Sequence, residues 1–400
     1  MAIRTAWQDL YGIQMDTGAT LATHLAGSPT YDAASDIGIL GDGTANGKFA
    51  LPLTSHPNYK APTGSVDARQ ARGIAERHAR EYNIVQTGDP VEFTLDMNGN
   101  AYNISAFIAL LLQNGVSEAA TVNTNGANLL TGIPYTLADV NNYAYLSRSL
   151  QPVGGGKSID ALIKGAICSG LQITGQQGAV LQIQPTIRAA SWEQADLSAV
   201  AGPTDNLANS FSDIVPLKFQ DSTIAFYDEY TNPGTPVWVE VYTPNISLNI
   251  VNNAIFNFYN NNKASVAILD NLEVTGSIEV PFSQDAVGDN YMIQRFLSGE
   301  PVKIAWFWGQ SGDTKDIAND YTLVDGASTP GPFDRYKNDT VATNPLNFVS
   351  FIFNAKVNDY DFAGDNELMT TANFEAATDV DDQAITVKAL YDSTKLTRIP

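Results

Sequence analysis

The chain has 400 residues, 44% hydrophobic and 10% aromatic, which is enough apolar material for a packed core and too much for global disorder. Only 16% of residues are charged, and the balance is acidic: 43 Asp and Glu against 22 Lys and Arg, a net charge of −21. Such a field repels nucleic acid instead of gripping it, and a single cysteine, Cys168, excludes an intrachain disulfide framework.

Asn, Thr, Ser and Gln supply much of the remaining polarity, a mix that suits a surface buried against copies of itself. The opening stretch "MAIRTAWQDLYG" lacks the apolar core of a signal peptide. The longest apolar run, "AFIALLL" (106–112), is far short of the ~20 residues of a membrane span. A soluble protein made inside a cell is expected.

Residues 1–80 read as an N-terminal arm and inter-subunit contact region. The three histidines, His24, His56 and His78, all lie here without zinc-ligand spacing. The one basic cluster, "DARQARGIAERHAR" (67–80), carries Arg69, Arg72, Arg77 and Arg80. On a helix these four fall on roughly one side. Nucleic-acid contact is one reading; an ion-pairing surface for an acidic neighbouring subunit is the simpler one.

Residues 81–200 form the first structural unit. "VEFTLDM" alternates Val91, Phe93, Leu95 and Met97 with Glu92, Thr94 and Asp96, the pattern of a half-buried strand. "NISAFIALLLQNG" spaces Ile104, Phe107, Ile108, Leu111 and Leu112 as one apolar helix face, with Gly115 as a stop. A polar excursion, 116–157, then leads to the strands "GLQITG" and "AVLQIQPTI".

The excursion ends in "GGGKS", which imitates a phosphate-binding loop. That motif needs a glycine five positions before Gly156, where this chain has Gln151, and it needs a parallel α/β setting. No nucleotide site is assigned. Cys168, among small residues in a strand, reads as a core filler.

Residues 201–240 read as a linker, and 241–400 as a second unit that repeats the first. "NIVQTGDPVEF" resembles "NLEVTGSIEV" at offsets of 188 and then 187. "ALLLQNG" matches "MIQRFLSG" at 184, "AICSGLQITG" matches "AKVNDYDFAG" at 189, and "IRAAS" matches "FEAAT" at 187. Blocks in one order at nearly one offset point to an internal duplication. The second unit then has a shorter helix, with Met292 and Phe296 before Gly299, a polar excursion over 309–345, and the hairpin "NDYDFAG" with "LMTTANFEA". The expected fold is mainly β: two tandem β-sandwich or half-barrel units, each an antiparallel sheet with one flanking helix and a long loop excursion.

"DYDFAGDNELMT" (359–370) places Asp359, Asp361 and Gly364 as an EF-hand would, but Ala363 and Thr370 stand where acidic ligands are needed. The duplication explains the stretch better, with Gly364 matching Gly175 at a hairpin turn. "TDVDD" (378–382) reads as a solvated acidic turn. No catalytic residue, metal site or cofactor is assigned, and carboxylate pairs for glycoside hydrolysis need distances that a sequence does not supply.

The stretches "NNAIFNFYNNNKASVAILDNLEVTGSIEVPFS", "MIQRFLSGEPVKIAW" and "NFVSFIFNAKVNDYDFAGDNELMTTANFEAATDVDD" resemble the major tail tube proteins of long-tailed bacteriophages. The match covers most of 240–390 and, more faintly, 81–200, and it carries no catalytic signature. The resemblance implies a non-enzymatic virion protein that assembles in the host cytoplasm and resides in the tail. Its units would associate side by side into rings, and the rings would stack into the tube that DNA traverses. Rings of six such units, with two units per chain, imply a trimer. Its other implied partners are tail terminator, tape measure and baseplate proteins, with DNA in passage only. Another tail ring component (terminator or baseplate hub) and a β-rich glycan-cleaving virion enzyme are the alternatives.

If each half supplies four strands, a trimer closes 24, which at ~4.8 Å spacing and ~40° tilt gives a diameter of roughly 48 Å, wide enough for a duplex. The candidate lumen residues are the polar positions of the repeat strands: Glu92, Asp96, Gln172, Gln182, Gln184, Glu279, Asp359, Asp361, Asn373 and Glu375. The excursions and the N-terminal arm are the expected ring-to-ring contacts.

Overall fold

A computed structural model describes residues 9–17, 20–27, 48–51, 53–55, 65–67, 85–87, 91–113, 116–118, 127–131, 142–150, 159–195, 216–228, 237–257, 266–269, 271–281, 294–310, 347–363, 369–377 and 385–390. The first half contributes β1 (Asp9–Thr17), α1 (Leu21–Ala26), β2 (Lys48–Ala50), β3 (Ser65–Asp67), β4 (Val85–Thr87), β5 (Val91–Thr94) and β6 (Met97–Asn98). It continues with α2 (Ala101–Leu112), β7 (Val116–Glu118), β8 (Ala127–Thr131), β9 (Asn142–Leu150), β10 (Ile159–Gln176), β11 (Gln182–Ala189) and β12 (Ser191–Ala195). The second half contributes β13 (Ser222–Asp228), β14 (Val237–Val241), β15 (Asn245–Val251), β16 (Ile255–Asn257), β17 (Val266–Ile268) and β18 (Glu273–Pro281). It ends with β19 (Val302–Gln310), β20 (Asn347–Ala363), β21 (Met369–Ala377) and β22 (Ile385–Leu390). The protein is mainly β, and every ladder among the described residues is antiparallel.

One sheet runs through both halves in the order β5 and β6, β11, β10, β15, β18, β21, β20. Its buried face follows the alternation of the strands. Ile183, Ile173, Leu248, Gly276, Phe374 and Val357 form one cross-strand row, each directly opposite the next. At Gly276 the row needs the missing side chain: a Cβ there would lie 2.5 Å from Cζ of Phe374 and 2.3 Å from the Ser247 carbonyl.

The long strands β10 and β20 organise the rest. The ladder of β10 with β11 shifts register between Cys168 and Gly170, and that of β20 with β21 shifts between Val357 and Asp359, each 189 positions later. Such an extra residue bends a strand and sharpens its twist. Before the shift, β10 leaves the sheet to pair with β12 and β9, and β9 carries β1 and then β2. β20 likewise pairs with β22 and β19, and β19 carries β13 and then β14. By these registers Val91–Met97 sits where Val274–Val280 sits, four residues from the "VEF" and "IEV" pairing that the sequence suggests.

Several expectations change. The polar excursion 116–157 contains β7, β8 and β9, and the linker 201–240 contains β13 and most of β14. The N-terminal region contributes β1, which spans the full length of β9. Gly175 lies inside β10, and the tight turn falls two to three residues later at Gly178 (φ 79°).

Helix α2 is buried on all its described sides, including Asn103 and Ser105, instead of showing the polar outer face of an amphipathic helix. Asn100 caps its N-terminus by accepting from the Asn103 N–H at 2.8 Å. Gln113 ends it in the left-handed region (φ 57°), and its side chain and that of Asn142 satisfy the last carbonyls. The helix touches β8, β9 and β10 of the first half and β20 and β22 of the second, so a single apolar core joins the halves. The short helix of the second half, 294–298, buries Arg295, ion-paired to Glu300, and exposes Phe296 and Leu297. Met292 lies outside the described residues.

Beside the core, His24 of α1 is buried and stacks on Tyr145 at 3.9 Å between centroids. Burial holds its imidazole below the ordinary 6.5, against the opposing pull of the Asp16 carboxylate 2.7 Å from Nδ1. Burial also pushes the Tyr145 hydroxyl up to about 12, keeping it a donor to the His24 carbonyl. A depressed histidine binds its proton more readily when unfolded, so its stabilisation is complete above pH 6.5 and is lost as the pH falls below that value. The unfolding midpoint is expected to drop between about pH 7.5 and 5.5, and His24→Phe, which retains the stacking, should flatten that slope in thermal melts.

Candidate functional site: a continuous polar sheet face

The face of the main sheet opposite the core is polar across all its strands, because period-two alternation sends every second residue there. Its central row runs Gln184, Gln172, Asn249, Thr275, Glu375, Lys356, each directly opposite the next. A neighbouring row runs Gln182, Thr174, Ser247, Ser277, Asn373, Asp359. A third runs Gln176, Asn245, Glu279, Thr371, Asp361. Seven strands at ~4.8 Å make this surface roughly 29 Å wide.

All ten candidate lumen residues lie on this face and are exposed or half-exposed. Glu92, Gln172, Gln182, Gln184, Asp359, Asp361, Asn373 and Glu375 are the exposed ones, with Asp96 and Glu279 half-buried. The structure adds residues that the sequence reading missed, above all Asn245, Ser247 and Asn249 of β15, the strand that joins the halves. Their signal was present: "NISLNIV" alternates as strictly as "VEFTLDM".

Hydrogen bonds hold the polar groups flat along the sheet. Gln184 Nε2 donates to Asp96 Oδ1 at 2.9 Å, and the Ser247 and Ser277 hydroxyls meet at 2.8 Å. Arg188 bonds Glu92 at 2.8 Å and the Ala254 carbonyl at 2.8 Å. The acids Glu92, Asp96, Glu273, Glu279, Asp359, Asp361 and Glu375 outnumber the cations Arg188 and Lys356. Arg188 and Lys356 each lie directly opposite a glutamate, Glu92 and Glu375 respectively, so the net field of this surface is negative.

The arrangement offers hydrogen bonding and negative charge, spread over a broad surface. Among the described residues no group of three or more His, Cys, Asp or Glu is placed to hold a metal ion. Asp359 and Asp361 belong to β20, not to a cation-binding loop. Cys168 is fully buried and its thiol is pushed up by burial, which fits the core role expected of it. Arg69, Arg72, Arg77 and Arg80, together with His56, His78, the "GGGKS" stretch and "TDVDD", lie outside the described residues. No described helix is long and apolar enough to cross a membrane.

No protein-family model matches the chain, and no curated protein matches it in sequence. Among solved structures it is similar to the tail tube of SPP1, determined by solid-state NMR and cryo EM, with 9% identity and a TM-score of 0.28. That alignment covers 45% of this chain and 83% of the other.

Proposed function

We propose that this chain is a structural subunit of a phage tail, a duplicated tube protein that forms rings and stacks them into a channel for DNA. The observation that carries this reading is the polar face just described. It crosses strands of both halves, with polar side chains along each of its three rows, and bears a net negative charge. Lining a bore, it would let phosphates pass without capture, because a like-charged wall has no counterion release to offer. The register shifts of β10 and β20 support the reading as well, since they bend the two strands at matching positions, as a duplicated unit would.

In this proposal three copies make one ring of six units, which holds itself together by lateral contacts and meets terminator, tape measure and baseplate proteins axially. The test is negative-stain electron microscopy of the purified protein, with light scattering for mass. Rings or tubes with a bore wider than a duplex, about 20 Å across, and a trimeric mass are expected. A six-chain ring would overturn the trimer of paired units while keeping the role; a monomer that degrades polysaccharide would overturn the role. The face assignment has its own check. Glu279→Lys, Asp361→Lys and Glu375→Lys combined should give tubes that retain duplex DNA at low salt, where wild-type tubes do not.

A further inference from the structure

Helix α1 is held to the fold by few groups. Only Leu21 and His24 of its six residues are buried. Leu21 closes a second apolar cluster, apart from the main core, in which Tyr143 and Ile167 of the first half meet Phe256 and Leu269 of the second. The backbone hydrogen bonds of the helix belong to no ladder: the His24 N–H donates to the Thr20 carbonyl at 2.9 Å, and the Gly27 N–H to the Thr23 carbonyl at 3.1 Å. The helix can therefore leave without breaking a strand pair.

His24 is the group that seats it. The ring stacks on Tyr145 and lies 5.3 Å from the ring of Tyr143. The His24 carbonyl accepts from the Tyr145 hydroxyl at 2.7 Å, and the Leu25 carbonyl accepts from Lys164 Nζ at 3.4 Å. The ring has a place for one proton and not for two. The Asp16 carboxylate, 2.7 Å from Nδ1, takes the first. Nε2 is buried and makes no hydrogen bond among the described residues, so a proton added there finds no acceptor.

Charged and titratable groups face the ring from three strands: Asp16 from β1, Tyr143 and Tyr145 from β9, and Lys164 from β10. Lys164 is itself paired to Glu193 of β12 at 3.1 Å. The described residues of β16 and β17 add none. Burial of the ring outweighs the pull of Asp16 and of the Ala144 carbonyl, and the Lys164 ammonium adds to its effect, so the seated ring resists a second proton.

We infer that α1 is an acid-released latch: with His24 neutral it closes the second cluster, and a second proton on the ring lifts it away while the main sheet stays folded. Once lifted, the ring is solvated and takes its proton at the ordinary 6.5. The opening equilibrium therefore grows as the pH falls below that value, and stops growing where the seated ring is protonated too. Opening removes Leu21 from Tyr143 and Ile167 and uncovers an apolar contact between the two halves. The latch belongs to the single chain and does not depend on the tube reading.

Amide hydrogen exchange of the full chain between pH 7 and 5.5, corrected for the intrinsic pH dependence of exchange, tests this. The His24 and Gly27 amides are expected to exchange at least about a hundredfold faster than those of Ile173 and Leu248 in the main sheet, and to ignore low denaturant, as a local opening does. Their opening should rise on the order of fivefold from pH 7 to 5.5. His24→Phe, which has no proton to take, should show no rise. Asp16→Asn should show a larger one, because the seated ring loses the carboxylate that favours its second proton. Exchange of the His24 and Gly27 amides at main-sheet rates, an opening that ignores pH, or a rise that persists in His24→Phe overturns the latch. If His24→Phe does not fold, Asp16→Asn decides: a rise no larger than that of the wild type overturns it.

Discussion

Trp308→Ala is expected to lower stability by about 3–5 kcal/mol, the range for deleting a large aromatic from a close-packed core. The indole is fully buried, edge-on to Phe219 at 5.8 Å and tilted against Trp306 at 5.3 Å. Its six-membered ring fills the space over Gly175, where a Cβ would lie 2.6 Å from Cζ2. The residue belongs to β19 of the second half and packs on β10 of the first, so the cavity opens where the halves meet. Trp308 Nε1 has no hydrogen-bond partner among the described residues. Trp308→Phe therefore removes an unpaired donor along with part of the ring, and a smaller loss, roughly 1–2 kcal/mol, is expected. Denaturant unfolding followed by circular dichroism measures both. Equal losses would show that the indole N–H is satisfied and that packing volume is not what decides.

Asn252→Leu is the second large effect, and it acts through polar groups instead of volume. Asn252 is 1% exposed. Its Nδ2 donates to the Leu111 carbonyl at the end of α2 and to the Cys168 carbonyl at the β10 bend, both at 2.9 Å. Its Oδ1 accepts from the Ala254 N–H at 3.1 Å. One side chain thus closes the C-terminus of α2, the bend of β10 and the exit from β15. Leucine conserves the volume but leaves these buried groups without that partner, at about 1–3 kcal/mol for each group left unsatisfied. A total of about 3–5 kcal/mol is expected. Asn252→Asp should be worse at neutral pH, because a carboxylate only accepts and here faces two carbonyls. It should recover partly as the pH falls and the acid gains a proton to donate. Melting midpoints of the two variants across pH would show the crossing; parallel curves would contradict this role.

The strand alternation of this chain is written in its sequence. Val91 to Met97, the strands on either side of Gly178, and the hairpin of β20 with β21 are all legible from period two alone, and so is the polarity of every candidate face residue. Alternation is a local property, since each residue's direction follows from its neighbours' backbone geometry. Pairing is not local. Every strand offers the same N–H and C=O groups, and only the packed fold selected β15 as the strand between β10 and β18 and so merged the polar faces of both halves into one surface. The burial of α2 was likewise beyond the sequence pattern: Asn103 and Ser105 are polar, yet both are buried in a helix that packs against strands of both halves. β9 and β13 lay hidden in segments whose polar, turn-rich surroundings resemble loops, because a strand's identity there comes from the neighbours it pairs with. Local chemistry set which residues face away from the core; long-range hydrogen bonding decided that they face the same way.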